Sequence, residues 1–109
     1  MHNRQKGNIA EDKACEYLVK QGYRVIERNF YSRYGEIDII AIKSNILYFV
    51  EVKSGEAFEP SENITKSKLE RIEKTLYIFL KSKNLTLPYN ISAKILTKNH
   101  LEFIENITL

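Results

Sequence analysis

The sequence predicts an α/β domain: a mixed sheet flanked by helices, in the order helix, three strands, helix, two strands. Three observations predict it. Two stretches, at about residues 7–21 and 60–83, repeat their apolar residues at helical spacing. Between them lie three runs rich in strand-forming residues, separated by short turn signals. After the second helix come two more such runs around the polar turn Lys98-Asn99-His100. The chain has 109 residues, 43% of them apolar, with only four glycines and two prolines, which suits one globular domain over residues 1–109.

Charge and cysteine content narrow the function classes. Seventeen basic and fourteen acidic residues leave a net charge of +3, compatible with a nucleic-acid partner without demanding one. A single cysteine, Cys15, excludes an internal disulfide and a thiolate zinc cluster. No apolar run is long enough to span a membrane. The basic N-terminus is not followed by the apolar segment of a signal peptide, so a cytoplasmic protein is expected.

The first helix, residues 7–21, ends at Gly22, a suitable C′ glycine. At about 100° per residue, Ala10, Ala14, Cys15, Tyr17, Leu18 and Val19 fill one arc, and Asp12, Lys13, Glu16 and Lys20 the other. Glu11 falls inside the apolar arc beside Leu18 and Cys15. An acid on a core-facing arc needs a partner, unless it lies at the edge and reaches water. Residues 23–31 read as the first strand, and Ser32-Arg33-Tyr34-Gly35 as the turn out of it. Arg33 and Tyr34 are placed to meet a nucleic-acid backbone and base, the alternative being a solvated loop.

Residues 35–53 are the stretch around which the chain is organised. Two apolar strands flank the short polar turn Lys43-Ser44-Asn45, and each carries charge where a buried strand should have none. Asp38 lies between Ile37 and Ile39, and Glu51 and Lys53 follow Leu47-Tyr48-Phe49-Val50. Strand alternation puts Glu51 and Lys53 on one face, and Glu36 with Asp38 on one face of the neighbouring strand. A hairpin then brings Asp38 near Glu51 and Lys53 at one end of the sheet. Gathering these ions on apolar strands costs several kcal/mol per ion. Two close carboxylates also raise each other's pKa. A hard divalent cation relieves both, and Asp, Glu and Lys around such an ion suit metal-assisted phosphodiester hydrolysis.

A loop without periodicity follows at residues 54–60. Its Glu56 and Glu59 would repel phosphate. Ser61 is a suitable N-cap for the second helix, whose stripe is Leu69, Ile72, Leu76, Phe79 and Leu80. Lys68 sits at the edge of the stripe and Arg71 and Lys74 flank it. They are placed to hold phosphate or to form a solvated basic face. Residues 89–97 and 101–107 read as the last two strands, the first parallel to the third strand through the helical crossover. His2 and His100 lie far from the charged stretch.

Gly35-Glu36-Ile37-Asp38 followed by Phe49-Val50-Glu51-Val52-Lys53 resembles the small bacterial YraN family, also called UPF0102. That family is assigned to the PD-(D/E)XK nuclease superfamily, which includes restriction enzymes and Holliday-junction resolvases. The resemblance covers almost the whole chain, from Gly7 to about Ile107. It implies a restriction-endonuclease-like core and a metal-dependent nuclease, with DNA as partner and Mg²⁺ or Mn²⁺ as cofactor. Asp38 and Glu51 would bind the metal, with the backbone carbonyl of Val52 as third ligand and Glu11 completing the shell. Lys53 would orient or help deprotonate the attacking water. Arg33, Lys68 and Arg71 would contact nucleic acid. The family usually has Phe-Asp where this chain has Ile91-Ser92. The alternative reading is an adaptor that binds nucleic acid without cleaving it, and a homodimer stays open.

Overall fold

The structure, a computed structural model, describes residues 5–54, 65–96 and 101–104, and the side chains of residues 9–52 and 65–92. The order is α1 (Gln5–Lys20), β1 (Arg24–Ser32), β2 (Gly35–Lys43), β3 (Ile46–Ser54), α2 (Lys66–Lys83), β4 (Tyr89–Leu96) and β5 (Leu101–Ile104). The five strands form one mixed sheet in sequence order. β1, β2 and β3 are an antiparallel meander, β3 and β4 run parallel across the α2 crossover, and β5 returns antiparallel to β4. This is the α/β architecture of a restriction-endonuclease-like core.

Each helix covers one face. Ala14 and Leu18 of α1 pack with Tyr23, Ile39, Ala41, Tyr48 and Val50. Leu69, Ile72, Leu76 and Phe79 of α2 pack on the other face with Ile37, Ile40, Leu47, Phe49 and Ile91. Phe79 meets Phe30 and Phe49 edge-on at 5.2 and 5.9 Å. Val19, placed by helical spacing on the apolar arc of α1, is instead 58% exposed. It lies in the last turn, where the chain leaves for β1. Among the described helices none is long and apolar enough to cross a membrane.

The connections follow from local chemistry. Gly22, at φ 94°, ends α1 as a left-handed C′ residue; its N–H bonds Val19 O, and Tyr23 N–H bonds Leu18 O. Ser44 and Asn45 both have positive φ, 53° and 61°, the requirement of the tight hairpin between β2 and β3. The second helix begins later than the sequence pattern predicts. Thr65 is its N-cap, accepting from Lys68 N–H at 3.1 Å, whereas the expected cap Ser61 lies outside the described residues. A threonine hydroxyl serves as well there as a serine's, and the apolar stripe itself starts only at Leu69.

The meander departs from regular alternation in a way that builds the site. On β2, Ile40 faces α2 and Ile39 faces α1, as period two demands, yet Ile37 returns to the α2 face. The phase therefore changes at Asp38. On β1, Arg28 reaches Glu11 and Asp12 on α1, while Phe30, two residues on, packs on α2. The phase changes there at Asn29, which has φ 54° and lies opposite Asp38 between the pairs Arg28↔Ile39 and Phe30↔Ile37. A left-handed residue rotates the strand, and asparagine tolerates that conformation better than most side chains do.

Candidate active site

The β2–β3 ladder stops at Ile39↔Val50. Beyond it the two strands part, and the next backbone donor on β3, the Val52 N–H, is taken by the Asp38 side chain at 2.8 Å. An extended residue turns its N–H and C=O to the same side, so Val52 also aims its carbonyl into this cleft. β3 itself continues, paired to β4 through Val52↔Lys94 and Lys53↔Ile95. The cleft thus opens on one side of an otherwise complete strand.

Three carboxylates converge there. Oxygens of Glu11 on α1 and of Glu36 and Asp38 on β2 lie within 4.8 Å of one another. The phase change at Asp38 explains how Glu36 arrives. Strict alternation from Ile39 would turn Glu36 to the α2 face, but the shift turns it towards α1 and Glu11. Glu11 itself is 8% exposed, held by Asn29 Nδ2 at 3.0 and 3.1 Å and by Arg28 Nη2 at 3.3 Å. The same Asn29 Nδ2 donates to Glu36 Oε2 at 2.6 Å.

Asp38 sits between these acids and Glu51. Burial, and then the negative charge of Glu51, push its carboxyl up from 3.8 to about 8; the Val52 N–H pulls the other way, and Glu11 and Glu36 add to the rise. Glu51 is 7% exposed, and its Oε2 meets Lys68 Nζ of α2 at 2.8 Å. Lys68 also lines a groove of about 280 Å³ with Tyr34, Gly35, Glu36, Arg71 and Ile72. The Tyr34 ring at its rim carries Arg33 at 5.0 Å and Lys74 at 5.1 Å. Ser32 Oγ and Thr75 Oγ1, 2.8 Å apart, fasten this turn to α2.

Of the residues singled out in the sequence, Glu11, Asp38 and the Val52 N–H meet in one cleft. Glu51 is near enough to raise the Asp38 carboxyl but pairs with Lys68. Lys68 and Arg71 line the adjoining groove, and Arg33 lies over its Tyr34 ring. The Lys53 side chain lies outside the described residues, as do Glu56, Glu59, His2 and His100. Sequence reasoning missed Glu36 and Asn29 as site residues. Glu36 carried a signal, a second acid two positions from Asp38. Asn29 carried only its residue type within a strand. Cys15 is half-buried beside the cleft; burial foremost pushes its thiol up, which suits a packing role. Ser92 is fully buried and bonds Asn90 Oδ1 at 2.7 Å.

Residues 10–98 match the family model described as "Uncharacterised protein family UPF0102". The chain belongs to UPF0102. A UPF0102 protein of Helicobacter hepaticus is 50% identical over 109 residues, covering 100% of this chain and 99% of the relative. One of Wolinella succinogenes is 52% identical over 107 residues, covering 98% and 99%. One of Helicobacter pylori is 47% identical over 106 residues, covering 97% and 93%. UPF0102 as a family is placed with the PD-(D/E)XK nucleases, and the acidic cluster of Glu11, Glu36 and Asp38 fits a nuclease-like fold.

Proposed function

We propose that this UPF0102 chain is a metal-dependent nuclease that hydrolyses phosphodiester bonds in DNA. The observation that carries the reading is Asp38, a half-buried acid gathered with Glu11 and Glu36 and pushed up to about 8. Arg28 on Glu11 and Lys68 on Glu51 bring two positive charges to four carboxylates, and the donors are all hard oxygens, which suits Mg²⁺ or Mn²⁺. An octahedral ion with bonds of about 2.1 Å spaces its ligand oxygens about 3–4.2 Å apart, close to the 4.8 Å within which Glu11, Glu36 and Asp38 gather.

Asp38, Glu11 and Glu36 would hold the ion from one side, with Glu51 and the Val52 carbonyl from β3. The ion would polarise the phosphate and lower the pKa of a bound water. Asp38 is fixed for this by the Val52 N–H, which leaves its other oxygen for the cleft. Lys53, two residues beyond Glu51, is assigned to the attacking water and to the charge that grows on the phosphate. Lys68, Arg71 and Arg33 would lead the DNA backbone along the groove to the cleft. Lys68 exchanges Glu51 for phosphate in this reading, since its ammonium already lines the groove.

One observation favours the second reading, an adaptor that binds nucleic acid without cleaving it. Lys68 on Glu51 and Asn29 on Glu11 and Glu36 supply donors to the acids without any ion. Lys53→Ala separates the two readings, assayed for affinity across a salt series and for single-turnover cleavage of branched, flapped, single-stranded and duplex DNA with Mn²⁺. The nuclease reading expects wild-type cleavage of at least one DNA and a loss of about a hundredfold in rate at near-normal affinity. No wild-type cleavage of any DNA, together with weaker binding and a salt slope reduced by about one, would establish the adaptor.

A further inference from the structure

Among the described residues, Asn29 reaches acids of both α1 and β2. Its Nδ2 lies 3.1 and 3.0 Å from the two oxygens of Glu11 and 2.6 Å from Glu36 Oε2. It sits opposite Asp38 in the β1–β2 register, and its left-handed backbone, φ 54°, marks the point where both strands change phase. Residues held in that region within a strand are uncommon and cluster at functional sites.

We infer that Asn29 is the positioning residue of the cation site: its amide holds the Glu11 and Glu36 carboxylates together, oriented for a divalent cation shared with Asp38. The inference rests on the metal reading above. Two like charges brought this close drift apart unless a donor lies between them. The Asn29 amide has two N–H groups and no charge. Each carboxylate has about four lone-pair positions, so accepting from Asn29 leaves others for an ion. A full positive charge in the same place would compete with the ion; a neutral amide orients the ligands and does not replace it. Outer partners of this kind typically contribute tenfold to a hundredfold in metal affinity.

The backbone and the amide are separable. Glycine adopts positive φ readily, so Asn29→Gly keeps the phase change and removes the side-chain amide. The experiment is a calorimetric Mn²⁺ titration of wild type, Asn29→Gly, Glu36→Gln and the double variant, each verified as folded by circular dichroism. Asn29→Gly should lose about tenfold to a hundredfold in Mn²⁺ affinity. In the Glu36→Gln background the same change should cost much less, because one of the two carboxylates to be held is gone. A general structural effect would instead cost the same in both backgrounds, and that result would overturn the inference, as would wild-type affinity in Asn29→Gly. Failure of wild type to bind Mn²⁺ would be a different result, overturning the metal reading and this inference with it.

Discussion

The β2–β3 hairpin is built on opposite rules at its two ends. Near the turn, five consecutive pairs run from Ile39↔Val50 to Lys43↔Ile46. Ile39, Ile40, Ala41, Leu47, Phe49 and Val50 there are no more than 1% exposed, and their backbone groups are satisfied by the ladder. At the far end the ladder stops, a side chain replaces a strand in accepting the Val52 N–H, and acids occupy positions that apolar residues fill elsewhere. The closed end holds the fold together. The open end uses that rigidity to keep Asp38 in a place it would not occupy alone. Parting two strands frees backbone groups, and a polar site can be assembled from side chains that reach into the gap.

The largest effect belongs to the closed end. Phe49→Ala removes a ring packed against Phe79 and Tyr89, at 5.9 and 5.7 Å, and should cost about 3–5 kcal/mol in urea denaturation. That is a large part of the roughly 5–15 kcal/mol a typical domain has. A loss below about 1 kcal/mol would mean that the closed end is not the anchor described here.

The open end should respond in the opposite sense. Asp38 keeps its proton in the folded state up to about pH 8, whereas in the unfolded chain it loses it near 3.8. Stability of the metal-free protein should therefore be fully present below about pH 4 and fall as pH rises towards 8. Asp38→Asn removes the charge, and its amide oxygen still accepts from Val52 N–H. In metal-free buffer near pH 8 it should melt higher than wild type, by roughly 4–8 °C for each kcal/mol recovered, with Mn²⁺ binding lost. A lower melting temperature would show that Asp38 has a stabilising partner in its charged form.

The smallest effect tests the border between the ends. Lys68→Met leaves Glu51 without its ammonium and should cost about 1 kcal/mol, since Lys68 is 30% exposed and its pairing with Glu51 is partly screened. Added Mn²⁺ should restore part of that loss in thermal melts, because a cation in the cleft takes over the charge of Glu51. Equal losses with and without Mn²⁺ would separate Glu51 from the cation site.

The closed end was legible in the sequence because both of its determinants are local. Period-two and continuous apolar runs mark the strands, and Lys43-Ser44-Asn45 marks the turn. Charges interrupting those runs likewise marked Asp38 and Glu51, and helical phase marked Glu11. What escaped depends on a break in phase. Glu36 joins Glu11 only because β2 rotates at Asp38, and in the run Ile37-Asp38-Ile39-Ile40 the apolar residues lie on both sides of the break and conceal it. Asn29 permits the matching rotation of β1, and a left-handed φ within a strand leaves no periodic trace. The start of α2 was misplaced for a simpler reason: Ser61 and Thr65 offer the same capping chemistry four residues apart.

If the proposed function is right, the parted end of the hairpin is a cation site centred on Asp38. Anomalous diffraction from crystals soaked in Mn²⁺ tests it directly. A peak is expected in the cleft bounded by Glu11, Glu36, Asp38 and the Val52 carbonyl, absent in Asp38→Asn. Saturating Mn²⁺ with no peak there, or a peak that persists in Asp38→Asn, would contradict it.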